Sequence, residues 1–141
     1  MIYYLDTSLV VAALTKEART DQVQIWLGAR ASDDLLISDW VNTEFSAALS
    51  IKLRSEQIDE AARTESLAGY NRLRRASLTV LPVAPEQFHT AANFADRYAL
   101  GLRAGDALHL AIAAKNGATL CTLDRRLSDA GPELGVATLL V

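Results

Sequence analysis

The chain has 141 residues, half of them hydrophobic and 22% charged, with a formal net charge of −3. This composition fits one domain over residues 1–141 with a real core and excludes a global basic footprint for nucleic acid, so any such contact must come from a local patch or a bound metal. No apolar run is long enough to span a bilayer, no basic segment precedes an apolar one at the N-terminus, and the single cysteine, Cys121, has no internal disulfide partner, so no membrane association and a cytoplasmic location are expected.

The chain opens on residues 2–5, a short apolar, aromatic-rich run of strand type. Asp6 ends it, Thr7 and Ser8 are cap-type residues, and residues 9–14 read as a short helix. A carboxylate therefore stands where a buried strand turns into a helix. Open parallel sheets bind ligands outside the carboxyl ends of their strands. Asp6 is thus either a helix cap or part of a site, and only further carboxylates at the same edge favour the site.

Residues 19–30 read as a second helix, with Val23, Trp26 and Leu27 at helical spacing. Asp33 and Asp34 break the pattern before a second buried strand at 35–37. Ser38 or Asp39 caps a third helix reaching about Arg54, whose apolar face is Val41, Phe45, Ala48 and Leu49. Glu44 projects from that same face. A carboxylate there is costly unless it is paired or binds a metal, so Glu44 reads as functional ahead of a salt bridge or a snorkelling edge residue. Ser55 is expected to cap a long helix to about Ala76. Arg72, Arg74 and Arg75 cluster near its end, a solvated face suited to the helix dipole, with nucleic-acid or partner contact as the lesser reading.

Residues 78–83 alternate as a third strand limited by Pro82, and Pro85 opens a helix over 86–99 that carries His89 as a surface residue. A turn at 101–105 leads to a helix from Asp106 to 114, apolar on nearly every side and therefore buried. Asp106 stands at its start, where an N-cap is the competing reading. His109, one turn along, reads as a structural histidine that could face Asp106. Residues 118–123 form a fourth strand closed by Asp124, a short helix runs from Arg125 to Gly131-Pro132, and residues 136–141 make a last strand.

Strands alternating with helices imply an α/β fold: a mostly parallel central sheet of four to five short strands with helices on both faces. Right-handed crossovers bring the strand ends to one edge, and with them Asp6, Asp106 and Asp124, while Glu44 points inward. Four clustered carboxylates cannot all stay ionised unless something offsets their repulsion. All-oxygen ligands suit Mg2+ or Mn2+ rather than zinc, and such a site activates water for in-line displacement at phosphorus.

At these residues the chain resembles the PIN-domain nucleases and, within them, the VapC-type toxins of VapBC toxin–antitoxin pairs. The matching stretches are Leu5-Asp6-Thr7-Ser8, Asn42-Thr43-Glu44-Phe45, Gly105-Asp106-Ala107-Leu108-His109-Leu110-Ala111 and Thr122-Leu123-Asp124-Arg125-Arg126-Leu127, in family order along the whole chain. The resemblance implies a PIN-like fold and a ribonuclease dependent on Mg2+ or Mn2+. It implies Asp6, Glu44, Asp106 and Asp124 as catalytic acids and metal ligands, with the hydroxyls of Ser8, Thr7 and Thr122 around them. Asp124 is the least secure carry-over, and Asp129 nearby is a poorer match. The resemblance also implies an RNA substrate, a homodimer, and an antitoxin that inserts a basic residue into the acidic site. Arg72, Arg74, Arg75, Arg103, Arg125 and Arg126 are the candidate RNA or antitoxin contacts, since an acidic cleft repels RNA until cations offset it. The mechanism alone leaves DNA open, because metal-activated water does not need the 2′-hydroxyl.

Three rivals fit less well. An aspartate-dependent phosphatase wants a second Asp where this chain has Ser8. A phospho-acceptor domain wants a Lys after a late strand, whereas Lys115 lies in the buried helix. A non-catalytic PIN-like binding scaffold leaves four intact acids unexplained.

Overall fold

In the computed structural model, which describes residues 1–141, the chain alternates strand and helix from its second residue. Strand β1 is Ile2–Leu5, followed by α1 (Thr7–Leu14), α2 (Thr20–Gly28), β2 (Asp34–Ser38), α3 (Asp39–Arg54), α4 (Glu60–Ser77) and β3 (Thr79–Leu81). Then come α5 (Pro85–Asp96), a 3-10 turn at Tyr98–Leu100, α6 (Ala104–Lys115), β4 (Thr119–Thr122), α7 (Arg125–Glu133) and β5 (Thr138–Leu140).

All five strands are parallel, in the order β3-β2-β1-β4-β5. β1 is central, with Tyr3 opposite Leu35 of β2 and Leu5 opposite Cys121 of β4. The first three strands wind outward on one side of β1, and the last two on the other. Right-handed crossovers in opposite directions put α1–α4 on one face of the sheet and α5–α7 on the other. The point where winding reverses lies between β1 and β4, the place where such sheets open a crevice beyond their carboxyl ends. Asp6 follows β1 and Asp124 follows β4.

The core explains why these segments take these forms. A strand covered on both faces must be apolar throughout, and Tyr4, Leu5, Ile37, Leu120 and Cys121 are fully buried. In α6, Ala107 to Ala113 is an unbroken buried run, packed against α5 and β4. Leu9, Val10, Phe45 and Leu49 close the opposite face. No helix is long and apolar enough to cross a membrane.

Several boundaries depart from the sequence reading. The long helix starts at Glu60 and not at Ser55: α3 ends where Glu56 takes a left-handed φ of 60°, and Asp59 caps α4 by accepting from the Ala62 amide at 2.7 Å. The third strand is only three residues long, and the helix expected to reach residue 99 ends at Asp96 before the 3-10 turn. Asp106 is not an N-cap either. α6 begins two residues earlier, so Asp106 is its third residue, and its Oδ2 accepts from the Arg103 amide at 3.3 Å.

Candidate active site

Asp6 is both a cap and something more. It accepts from the Leu9 amide at 3.3 Å, as the N-cap of α1 should. It also accepts from Ser8 Oγ at 2.5 Å on Oδ1 and from Thr122 Oγ1 at 2.6 Å on Oδ2. Ser8 in turn accepts from the Leu123 amide and Thr122 from the Asp124 amide, so the two hydroxyls tie the end of β4 to Asp6. The carboxylate is 5% exposed and makes no ion pair. Burial pushes its pKa up, and His109 and the three hydrogen bonds offset this only in part. A cap alone would sit in solvent. This one is held inside the protein on three hydrogen bonds with no ion pair, an arrangement that capping does not require.

Glu44 comes from the middle of α3, on the face shared with Val41 and Phe45, and is half-buried. Its Oε1 accepts from Thr7 Oγ1 at 2.6 Å and lies 2.5 Å from His109 Nε2. Burial raises its pKa, but the His109 contact and the Thr7 hydroxyl outweigh that and hold it below the usual carboxylate range. Its other oxygen, Oε2, lies against Gly105, where a Cβ would come to 3.0 Å. The buried indole Nε1 of Trp40 has no partner and borders the same gap.

Burial also raises the pKa of Asp106, and the neighbouring charges of Asp124 and Asp6 push the same way, against the Arg103 amide and His109. Asp124 is exposed and caps α7 through the Leu127 amide. All four acids thus reach one edge. No three acidic or imidazole groups yet share a single coordination sphere, because Asp6, Glu44 and Asp106 are each turned to a hydrogen-bond partner of their own. A cleft of about 800 Å³ opens there, with Thr7, Ser8, Glu44 and Asp124 at one end and an ion pair of Lys52 with Glu17, 2.9 Å apart, among its other walls.

The chemistry of these donors fits a hard divalent cation. They are oxygens only, Asp6 makes no ion pair, and Glu44 Oε2 accepts no hydrogen bond and lies against glycine. The hydroxyls of Ser8 and Thr122 donate to Asp6, and that of Thr7 donates to Glu44. The arginines divide. Arg103, Arg125 and Arg126 are exposed at the starts of α6 and α7, beside Asp106 and Asp124. Arg72, Arg74 and Arg75 lie along α4, Arg74 close enough for its charge to act on Tyr70, which hydrogen-bonds Asn42 in α3.

His109 is what the sequence reading undervalued. It is 3% exposed and joins Glu44 to Tyr4, whose hydroxyl is 2.8 Å from its Nδ1. Its spacing from Asp106, one turn along, was the available signal. Gly105, against Glu44, carried none.

The family model described as PIN domain matches residues 3–132. A comparison with curated proteins finds no match. Solved structures with the same fold include VapBC2 from Rickettsia felis, bound to a DNA fragment from the promoter, with a TM-score of 0.72 and 19% identity over 99% of this chain and 98% of that one. VapC20 from Mycobacterium tuberculosis, described as a sarcin-ricin loop cleaving toxin, has a TM-score of 0.71 and 18% identity over 92% of this chain and 95% of that one. FitAcB from Neisseria gonorrhoeae has a TM-score of 0.72 and 17% identity over 98% and 96%. At these identities the likeness is one of fold.

Proposed function

This chain belongs to the PIN-domain family, and from that premise we propose that it is a divalent-metal-dependent endoribonuclease, the toxin of a toxin–antitoxin pair. The observation that carries the reading is Asp6: a buried, unpaired carboxylate at the sheet's switch point, with Glu44, Asp106 and Asp124 at the same edge.

Asp6, Glu44 and Asp106 would hold Mg2+ or Mn2+, with Asp124 assisting. Such a metal, when bound, supplies an activated water and stabilises charge building at phosphorus. The remaining work is done by the chain. Ser8 and Thr122 fix both oxygens of Asp6, and Thr7 and His109 fix one oxygen of Glu44 and leave the other free. Asp106 has a raised proton affinity, which suits a group that orients or deprotonates a water. Arg103, Arg125 and Arg126 are at hand to bind flanking phosphates of an RNA strand, and Arg72, Arg74 and Arg75 are more distant contacts for RNA or partner.

An RNA substrate is supported by the fold shared with a toxin described as sarcin-ricin loop cleaving, and an antitoxin partner by neighbours described as VapBC. An antitoxin would place a basic residue in the acidic cleft, with two copies of this chain as a homodimer. The nuclease unit would span residues 1–141 and act in the cytoplasm.

The test is incubation of purified protein with total RNA and Mg2+ or Mn2+, with mapping of the cleaved ends. Cleavage is expected in wild type, none in chelator, and none in Asp106→Asn. Full activity in Asp106→Asn would sink the assignment, and cleavage surviving in Asp6→Asn would reveal a contaminant. Expression without antitoxin should arrest growth. Harmless expression of active, folded protein counts against the toxin role alone.

A further inference from the structure

Glu44 is the one site carboxylate wired into the core through a histidine. Nε2 of His109 lies 2.5 Å from Glu44 Oε1, and Nδ1 of the same ring lies 2.8 Å from the Tyr4 hydroxyl. That hydroxyl lies 2.8 Å from Ser38 Oγ. Ser38 and Tyr4 are fully buried, and the four groups come from β2, β1, α6 and α3.

Counting hydrogens along this chain sets its direction. Ser38 Oγ has one partner, the Tyr4 oxygen, and a buried hydroxyl hydrogen left without an acceptor is costly. Ser38 therefore donates to Tyr4, and Tyr4 donates to Nδ1. Burial pushes the Tyr4 phenol far up, so it keeps the proton it gives. Nδ1 is then an acceptor, and the ring's one N–H stands on Nε2, facing a carboxylate that only accepts.

We propose that His109 is a positioning residue, locked in its Nε2–H tautomer by Ser38 and Tyr4, which grips Glu44 by Oε1 so that Oε2 stays free over Gly105 to bind a metal. The last step rests on the nuclease reading; the tautomer does not. Partners of this kind orient a ligand from behind, and their loss lowers metal affinity about 10–100-fold.

The amide side chains separate the two ring nitrogens. Gln reaches about as far as Nε2 and offers an N–H there, whereas Asn offers one near Nδ1. We would measure imidazole nitrogen shifts of the metal-free protein by NMR near neutral pH, and Mn2+ affinity by water-proton relaxation, in wild type, His109→Gln, His109→Asn and Tyr4→Phe. In wild type the His109 ring, told apart from exposed His89 by its loss in His109→Gln, should show the Nε2–H form, and Tyr4→Phe should lose that uniqueness. His109→Gln should hold Mn2+ near the wild-type affinity, and His109→Asn should lose about 10–100-fold. His109 found as Nδ1–H in wild type overturns the proposal, as do equal affinity losses in Gln and Asn that follow their melting temperatures. A wild type that binds no Mn2+ overturns the nuclease reading, and the nitrogen shifts then decide the tautomer lock alone.

Discussion

Asp6→Asn removes one charge from the most buried carboxylate of the edge and almost nothing of its shape. The amide oxygen can keep the bonds from Ser8 and the Leu9 amide. The amide nitrogen then meets Thr122 Oγ1, which must turn from donor to acceptor while it still accepts from the Asp124 amide. One hydroxyl hydrogen is orphaned, at a cost of about 1–3 kcal/mol. Against this, an ionised carboxylate taken out of water without an ion-pair partner costs several kcal/mol, and the variant escapes it. In chelator the variant should therefore melt at or above wild type, by up to about 2 kcal/mol, or roughly 8 °C for a chain of this length. The sign with pH follows from the raised pKa. Folded Asp6 takes up a proton at a higher pH than unfolded Asp6, so wild type gains stability as pH falls from neutral through the folded value, and the gap to Asn closes by the ordinary 3.8. Added metal should reverse the order. At 100 times its dissociation constant a ligand of the folded state adds about 2.7 kcal/mol, and Asn should gain less. The assay is thermal melting of both proteins in chelator, in Mg2+ and in Mn2+. Equal metal responses would mean that Asp6 is only a cap, and the reasoning would fail.

Gly105→Ala should lower metal affinity and cleavage without destabilising the fold, because the new Cβ presses on Glu44 Oε2 at 3.0 Å while α6 gains about 0.5–1 kcal/mol of helix propensity; a melt and a cleavage assay on one preparation check both. Glu44 has a lowered pKa, so the stability it contributes is complete above its ordinary 4.5 and is lost as pH falls through the folded value; Glu44→Gln should flatten that part of the acid limb in urea titrations. Asp59→Ala should cost about 1 kcal/mol in denaturant melts and leave cleavage unchanged, since it removes only the cap of α4.

Local chemistry makes much of the site legible in the sequence. Asp6 and Asp124 each follow a short apolar strand and precede a helix, and strand ends, caps and crossovers are written in neighbouring residues. Glu44 was legible because it interrupts an apolar stripe. The start of α4 was not, because the residue that ends α3 in a left-handed turn is Glu56, where a glycine would have marked the place. Nor was the start of α6, because its first residues, Ala104 and Gly105, carry no apolar stripe, so the helix begins two residues before Asp106. What only the tertiary structure decided is which acids are held, and by what. Tyr4 and His109 stand 105 residues apart, and Ser38 lies 34 from Tyr4, so no spacing in the chain relates them. They meet because the sheet sets β1 beside β2 and α6 brings His109 against Tyr4. A buried hydrogen bond joins whatever groups the fold leaves without water, and that depends on the packing of distant segments rather than on the residues to either side.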